Sequence, residues 1–152
     1  MHFFISEASW SKPYLLLDHW GKPLFTLLSS PFAHWSYTGI LLFNLLVFTL
    51  TTVGAWRILK LLQVATLWKF VFPFVLLGSV QYNITILSGL TEPLFSLFLL
   101  WASYFYLNKK GLLAALLIGC LPFLRSEGQL PLILMVLLFV LNKEYKLSLI
   151  HI

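Results

Sequence analysis

The sequence predicts an all-α fold: a polytopic transmembrane helical bundle with an amphipathic interfacial helix near the N-terminus. Three observations predict it. Hydrophobic residues make up 60% of the 152-residue chain and charged residues only 10%, whereas a soluble domain is close to half apolar and a quarter charged. Mean hydropathy is +0.91, and the apolar residues fall into runs that approach the roughly 20 residues a spanning helix needs. The few charges sit in short interruptions between those runs, "DHWGKPLF", "LSGLTEPLF" and "LPFLRSEGQL".

The elements follow in order. Segment 1–35 is mixed in polarity and reads as interfacial. Its first ten residues, "MHFFISEASW", lack the basic-then-apolar order of a signal peptide. Pro23 suits the first position of a helix, so Pro23 to Ser30 reads as a short helix that Pro31 ends. Trp20, His34 and Trp35 suit a membrane–water boundary. Spans are expected at 38–56, 70–90, 93–108, 111–124 and 128–142. The fourth is short enough for a re-entrant segment. The last six residues, "LSLIHI", resemble the translated end of a sequencing adapter. Residues 147–152 are therefore expected to be an adapter-derived tail behind a partial membrane domain, 1–146.

Charge sets the expected orientation. Arg57, Lys60 and Lys69 lie between the first and second spans, Lys109 and Lys110 between the third and fourth, and Lys143 and Lys146 after the fifth. Cytoplasmic placement of these loops satisfies the positive-inside rule. Alternation then sends Asp18–His34, Ser88–Pro93 and Arg125–Gly128 to the extracytoplasmic side. The ten Lys and Arg form no basic cluster interleaved with aromatics, which excludes a nucleic-acid partner as a reading. Cys120 is the single cysteine, so no intrachain disulfide forms.

Each charged interruption has a structural reading and a functional one. Glu92 is either a first-turn acid behind an N-cap, Thr91, or a carboxylate that orients a hydroxyl or a cation. Arg125 and Glu127 either mark a helix end, with Ser126 as cap and Gly128 relieving the backbone, or supply a guanidinium for phosphate. Asp18, His19 and Lys22 are an ordinary interfacial loop or an acid/base and phosphate-binding set. No HExxH or CxxC pattern marks a metal site. The sequon Asn83-Ile84-Thr85 falls inside an expected span, where no glycan is expected.

"DHWGKPLFTLL", "LTEPLFSLFLLW" and "LPFLRSEGQLPLIL" resemble the polytopic glycosyltransferases of the GT-C superfamily, including the family 39 type that uses polyprenyl-phosphate-linked sugars. Gly21-Lys22-Pro23-Leu24 is similar to the family's H-x-x-K-P-P region. Thr91-Glu92-Pro93 is similar to its TEP, and Arg125 to Gly128 to its R-P-E-G, with Ser126 in place of Pro. The resemblance covers most of Asp18 to Lys146. It implies an inverting, mannosyl-type transfer on the extracytoplasmic face, with the bilayer and a polyprenyl-phosphate sugar as partners; the abundance of Phe and Leu with the adapter-like end makes a bacterial inner membrane the expected location. It further implies phosphate and substrate contacts from His19, Lys22, Glu92, Arg125 and Glu127, and in some members a divalent cation. The family's catalytic acid pair follows a first span that this chain lacks. Asp18 is therefore the candidate base here, and the family's own base is expected upstream of residue 1. The runners-up are a transporter fragment and a non-catalytic membrane subunit.

Overall fold

The computed structural model of the chain describes residues 8, 11–14 and 22–141, and the fold is all-α. Among the described residues, seven α-helices follow one another. They are α1 (Pro23–Ala33), α2 (Ser36–Leu61), α3 (Thr66–Gly78), α4 (Val80–Leu87), α5 (Glu92–Leu107), α6 (Gly111–Cys120) and α7 (Gln129–Leu141). Two 3₁₀ turns, Leu121–Phe123 and Ser126–Gly128, join α6 to α7. Residues 142–152, including the expected adapter-derived tail, lie outside the described residues.

α2 is long and apolar enough to cross a membrane alone. Its 26 residues extend roughly 39 Å at a rise of about 1.5 Å per residue. The helices at the last three expected spans have 16, 10 and 13 residues, short of the roughly 20 of a full span. The expected fourth span leaves α-helical geometry at Leu121, where Pro122 stands in the first turn of a 3₁₀ segment.

Two expectations are corrected. The span at 70–90 is not continuous, because α3 and α4 meet at a bend of 64°. Ser79 causes the break. Its backbone is extended, and its hydroxyl accepts the Tyr82 N–H at 3.4 Å, so it starts a new helix as an N-cap. The Asn83 amide donates to the Leu77 carbonyl and covers an acceptor that the break exposes. The second correction concerns Pro31, which does not end α1. A proline cannot donate to the carbonyl four residues back, but the Ser30 hydroxyl donates to that same Leu27 carbonyl at 3.0 Å. The helix therefore runs on to Ala33.

Three helices end in the same way, with one residue in the left-handed region and paired backbone bonds that close the last turn. After α2, Gln63 (φ 55°) and Val64 donate to Lys60 and Leu59. After α4, Gly89 (φ 68°) and Leu90 donate to Ile86 and Thr85. After α5, Lys109 (φ 59°) and Lys110 donate to Tyr106 and Phe105. These 6→1 and 5→2 bonds satisfy carbonyls that a helix end leaves bare.

α2 and α5 run in the same direction. Ile40 lies against Gly89 just before α5, and buried Asn44 donates to the Ile86 carbonyl at 2.7 Å. Further along, the Trp101 indole donates to the Leu50 carbonyl at 3.1 Å, and Arg57 lies over Trp101 and Tyr104. α6 turns back along α5, with Ala102, Ala114 and Ala115 wholly buried where the helices meet. Small side chains let helix backbones approach closely. Gly54 serves the same end, since a Cβ there would sit 2.3 Å from Leu100. α7 returns beside α5, where Phe139 meets Tyr106.

The interior is mainly apolar but admits several polar side chains, while many large apolar side chains face outward. α1 buries Thr26, Ser29 and Ser30 and exposes Leu27 and Leu28. The same face of α1 buries the apolar Phe25 and Ala33. α2 buries Asn44 and Thr51 and exposes Leu42, Leu45, Leu46 and Leu50. α3 buries nothing, and Leu67, Trp68, Phe70 and Phe74 are all exposed on it. Exposed apolar surface on this scale marks contact with something other than water.

The turn between α1 and α2 depends on Gly39, where an added Cβ would lie 1.7 Å from the Phe32 carbonyl oxygen. Gly39→Ala is expected to cost at least about 3 kcal/mol, since overpacking against backbone cannot relax by rotamer change. Gly78→Ala, whose Cβ meets nothing within 4 Å, is expected to be neutral or to gain up to about 1 kcal/mol. Thermal unfolding of both variants in one detergent checks the contrast.

Candidate functional site

The segment Leu124 to Gly128 is built by a steric constraint. Backbone N–H groups of Leu124 and Arg125 both donate to Leu121 at 3.0 Å, closing the first turn. Arg125 is then extended (φ −154°, ψ 148°), and Ser126–Gly128 coils again with the Gly128 N–H donating to Arg125 at 3.0 Å. A Cβ on Gly128 would lie 2.4–2.6 Å from the backbone of Leu121 and Pro122. Only glycine lets the second turn close this tightly on the first.

The extended Arg125 also explains an arrangement that a helix forbids. Residues two apart do not face each other on a helix, yet here Arg125 grips Glu127 as a fork. Its Nε donates to Oε2 at 3.2 Å and its Nη2 to Oε1 at 3.1 Å. The Ser126 hydroxyl donates to the same carboxylate at 3.3 Å instead of capping a helix. Nη1 reaches the other way, to Oε1 of Glu92.

Glu92 is held in place from behind. The Tyr37 hydroxyl donates to the Leu87 carbonyl and the Asn44 amide to that of Ile86. Together they fasten the end of α4, and the left-handed Gly89 then turns the chain into α5. Thr91 is buried but makes no side-chain cap, so the expected cap is not formed. Glu92 does occupy the first turn of α5, where the helix dipole favours a carboxylate. Its second oxygen, Oε2, is buried and without a partner.

The structure therefore brings together three of the residues singled out in the sequence, Glu92, Arg125 and Glu127. Lys22 precedes α1 and pairs with neither carboxylate. Its helix joins the same apolar cluster through Leu24 and Phe25, beside Leu121 and Leu124. Asp18 and His19 lie outside the described residues. Sequence reasoning passed over Tyr37 and Asn44. A signal was present in Asn44, a lone amide within "LLFNLLVF".

Two carboxylates face one guanidinium, so the cluster carries a net negative charge. Arg125 has five N–H donors and gives three to the glutamates, leaving two on its Nη atoms. No group of three or more His, Cys, Asp or Glu occurs among the described residues. With three of the four glutamate oxygens already bonded to Arg125, the described residues do not form a donor set for a divalent cation. No family model, curated protein or solved structure matches the chain.

The Arg125 hydrogen bonds hold the Glu127 carboxyl at about 2, well below its ordinary 4.5. A depressed carboxylate contributes stability above its unfolded value and loses it as pH falls through the folded one. The Arg125–Glu127 pairing is thus expected to hold until pH falls to about 2, while the stability it contributes, full at pH 5 and above, is lost between about 4.5 and about 2. The ¹³C carboxyl shift of Glu127 checks this: a midpoint near 4.5 in the unaltered chain would refute it, and Arg125→Gln should move the midpoint up.

Proposed function

We propose that the chain is part of an integral-membrane glycosyltransferase of the GT-C kind, which moves a sugar from a polyprenyl-phosphate donor to an acceptor. The observation that carries the reading is the meeting of Glu92 with Arg125 and Glu127, which joins the "TEP" and "RSEG" segments at one end of the helices. Two of the three segments that resemble the family thus contribute to one constellation.

Arg125 is clamped by two carboxylates, so its planar head is oriented before any ligand arrives. Its two remaining N–H groups suit two oxygens of a lipid-linked phosphate, with Lys22 supplying further positive charge. In the inverting transfer, the acceptor hydroxyl oxygen bonds to the anomeric carbon as the bond from that carbon to the phosphate oxygen breaks. The electron pair leaves with the phosphate, where a fixed guanidinium stabilises the developing charge. The hydroxyl proton passes to a carboxylate base, a role the resemblance assigns here to Asp18. The uncommitted Oε2 of Glu92 suits a sugar hydroxyl, since a buried acceptor without a donor gains most from one.

The polytopic reading extends the one clear span. The exposed leucines of α6 and α7 support it, as does the bent α3–α4 pair, which is long and apolar enough to cross when counted as one unit. Charge is also sorted by end. Both described acids sit with Arg125, while Arg57, Lys60, Lys109 and Lys110 stand at the far ends of α2 and α5. By the positive-inside rule the basic end is cytoplasmic and the Arg125 end extracytoplasmic, and a bacterial inner membrane suits that arrangement.

One observation favours a second reading. The break at Ser79 is of the kind that lines substrate paths in transporters, and a transporter would carry solute without retaining a polyprenyl phosphate.

Two experiments test these readings. A topology reporter fused after Gly128 is expected to be active only outside the cytoplasm, and one fused after Lys110 only inside; the reverse at either point removes the orientation. A photoactivatable polyprenyl phosphate is expected to crosslink the full chain in nanodiscs within Leu121 to Gly128. Unlabelled polyprenyl phosphate should compete and polyprenol should not, and Arg125→Gln should lower the yield at least about tenfold. Crosslinking that ignores Arg125→Gln sinks the sugar-transfer reading.

A further inference from the structure

The opposite end of the helices holds an open groove of about 610 Å³ lined by Trp56, Arg57, Lys60, Leu61, Gln63 and Tyr104. Arg57 and Lys60 stand one turn apart on α2, on the same face. The Arg57 guanidinium lies 5.5 Å from the Trp101 ring centre and 5.9 Å from that of Tyr104. These cation–π contacts hold its plane while leaving its N–H edge available. Gln63 enters the groove from a left-handed position (φ 55°) that glycine usually fills at a helix end.

Neither cation has a carboxylate partner among the described residues, because Glu92 and Glu127, the described acids, both bind Arg125 at the other end. A solvated basic face would need no groove and no aromatic clamp on Arg57. We propose that this groove binds a phosphate-bearing ligand, with the phosphate between Arg57 and Lys60 and an apolar portion against Trp56 and Leu61. Guanidinium and ammonium side by side suit a phosphate, which accepts a planar fork and a point charge at once. The volume also exceeds what a small carboxylate would fill. The proposal is independent of the sugar-transfer reading, which concerns the other end of the molecule.

The test uses the full chain in phosphatidylcholine nanodiscs and follows the fluorescence of Trp56 and Trp101 as the difference between the unaltered chain and Arg57→Gln/Lys60→Gln. One titration adds inorganic phosphate, and a second raises the phosphatidylglycerol fraction of the disc. Saturable quenching by phosphatidylglycerol alone identifies a lipid headgroup, whereas quenching by inorganic phosphate as well identifies a free phosphate ligand. Lys60→Gln, which leaves the aromatic clamp intact, is expected to weaken binding roughly tenfold. Lys109→Gln, outside the groove, should leave binding unchanged. No saturable response to either ligand, or one that Lys60→Gln leaves unaltered, overturns the proposal.

Discussion

The ion pair between Arg125 and Glu92 ties together two turns 33 residues apart in the chain, and much of the arrangement exists to make it reachable. Arg125 must leave the helix, so α6 gives way to a 3₁₀ turn, and Gly128 lets the chain coil again against Leu121. Glu92 must face it from the start of α5. The end of α4 is therefore pinned by Tyr37 and Asn44, and Gly89 reverses the chain. An isolated charge in apolar surroundings is costly. Here one cation is shared by two anions, with Arg125 and Glu92 partly buried and Glu127 more than half exposed, so the charges offset one another and the cluster still meets solvent.

A second constraint runs through the bundle: helix hydroxyls and bridging donors find partners within the chain, while many large apolar side chains are left outside. The hydroxyls of Thr49, Thr51, Thr52 and Ser103 donate to carbonyls four residues back in their own helices. The Trp101 and Asn44 donors instead bridge helices. Where surroundings lack water, such internal bonds are the only way to satisfy these groups. The broken helix at Ser79 follows the same logic, with a serine and an asparagine covering backbone groups that the bend exposes.

The two ends of the molecule have opposite electrostatic character. One end gathers both described acids around a single arginine; the other holds Arg57 over two aromatic rings with Lys60 in the same groove. A cation clamped by carboxylates is rigid and partly neutralised, so it positions a ligand more than it attracts one. A cation clamped by aromatic rings keeps its full charge and attracts an anion strongly. The two ends are therefore built for different chemistry.

The sequence by itself determined the helical class, the positions of the apolar segments and the short charged interruptions that hold Glu92, Arg125 and Glu127, because hydropathy and charge are properties of residues in order. The glycine in "RSEG" and the proline in "TEP" marked the turns for the same reason. The sequence could not decide that the segment at 70–90 would bend at Ser79 or that α1 would run through Pro31. Both outcomes turn on a single side-chain hydroxyl choosing one backbone partner over water. Nor could it decide that Arg125 would close on Glu127 and Glu92, or that Arg57 would lie over Trp101 and Tyr104. Those pairings depend on the extended φ and ψ of one residue and on α2 and α5 running in the same direction, and only the tertiary structure decided them.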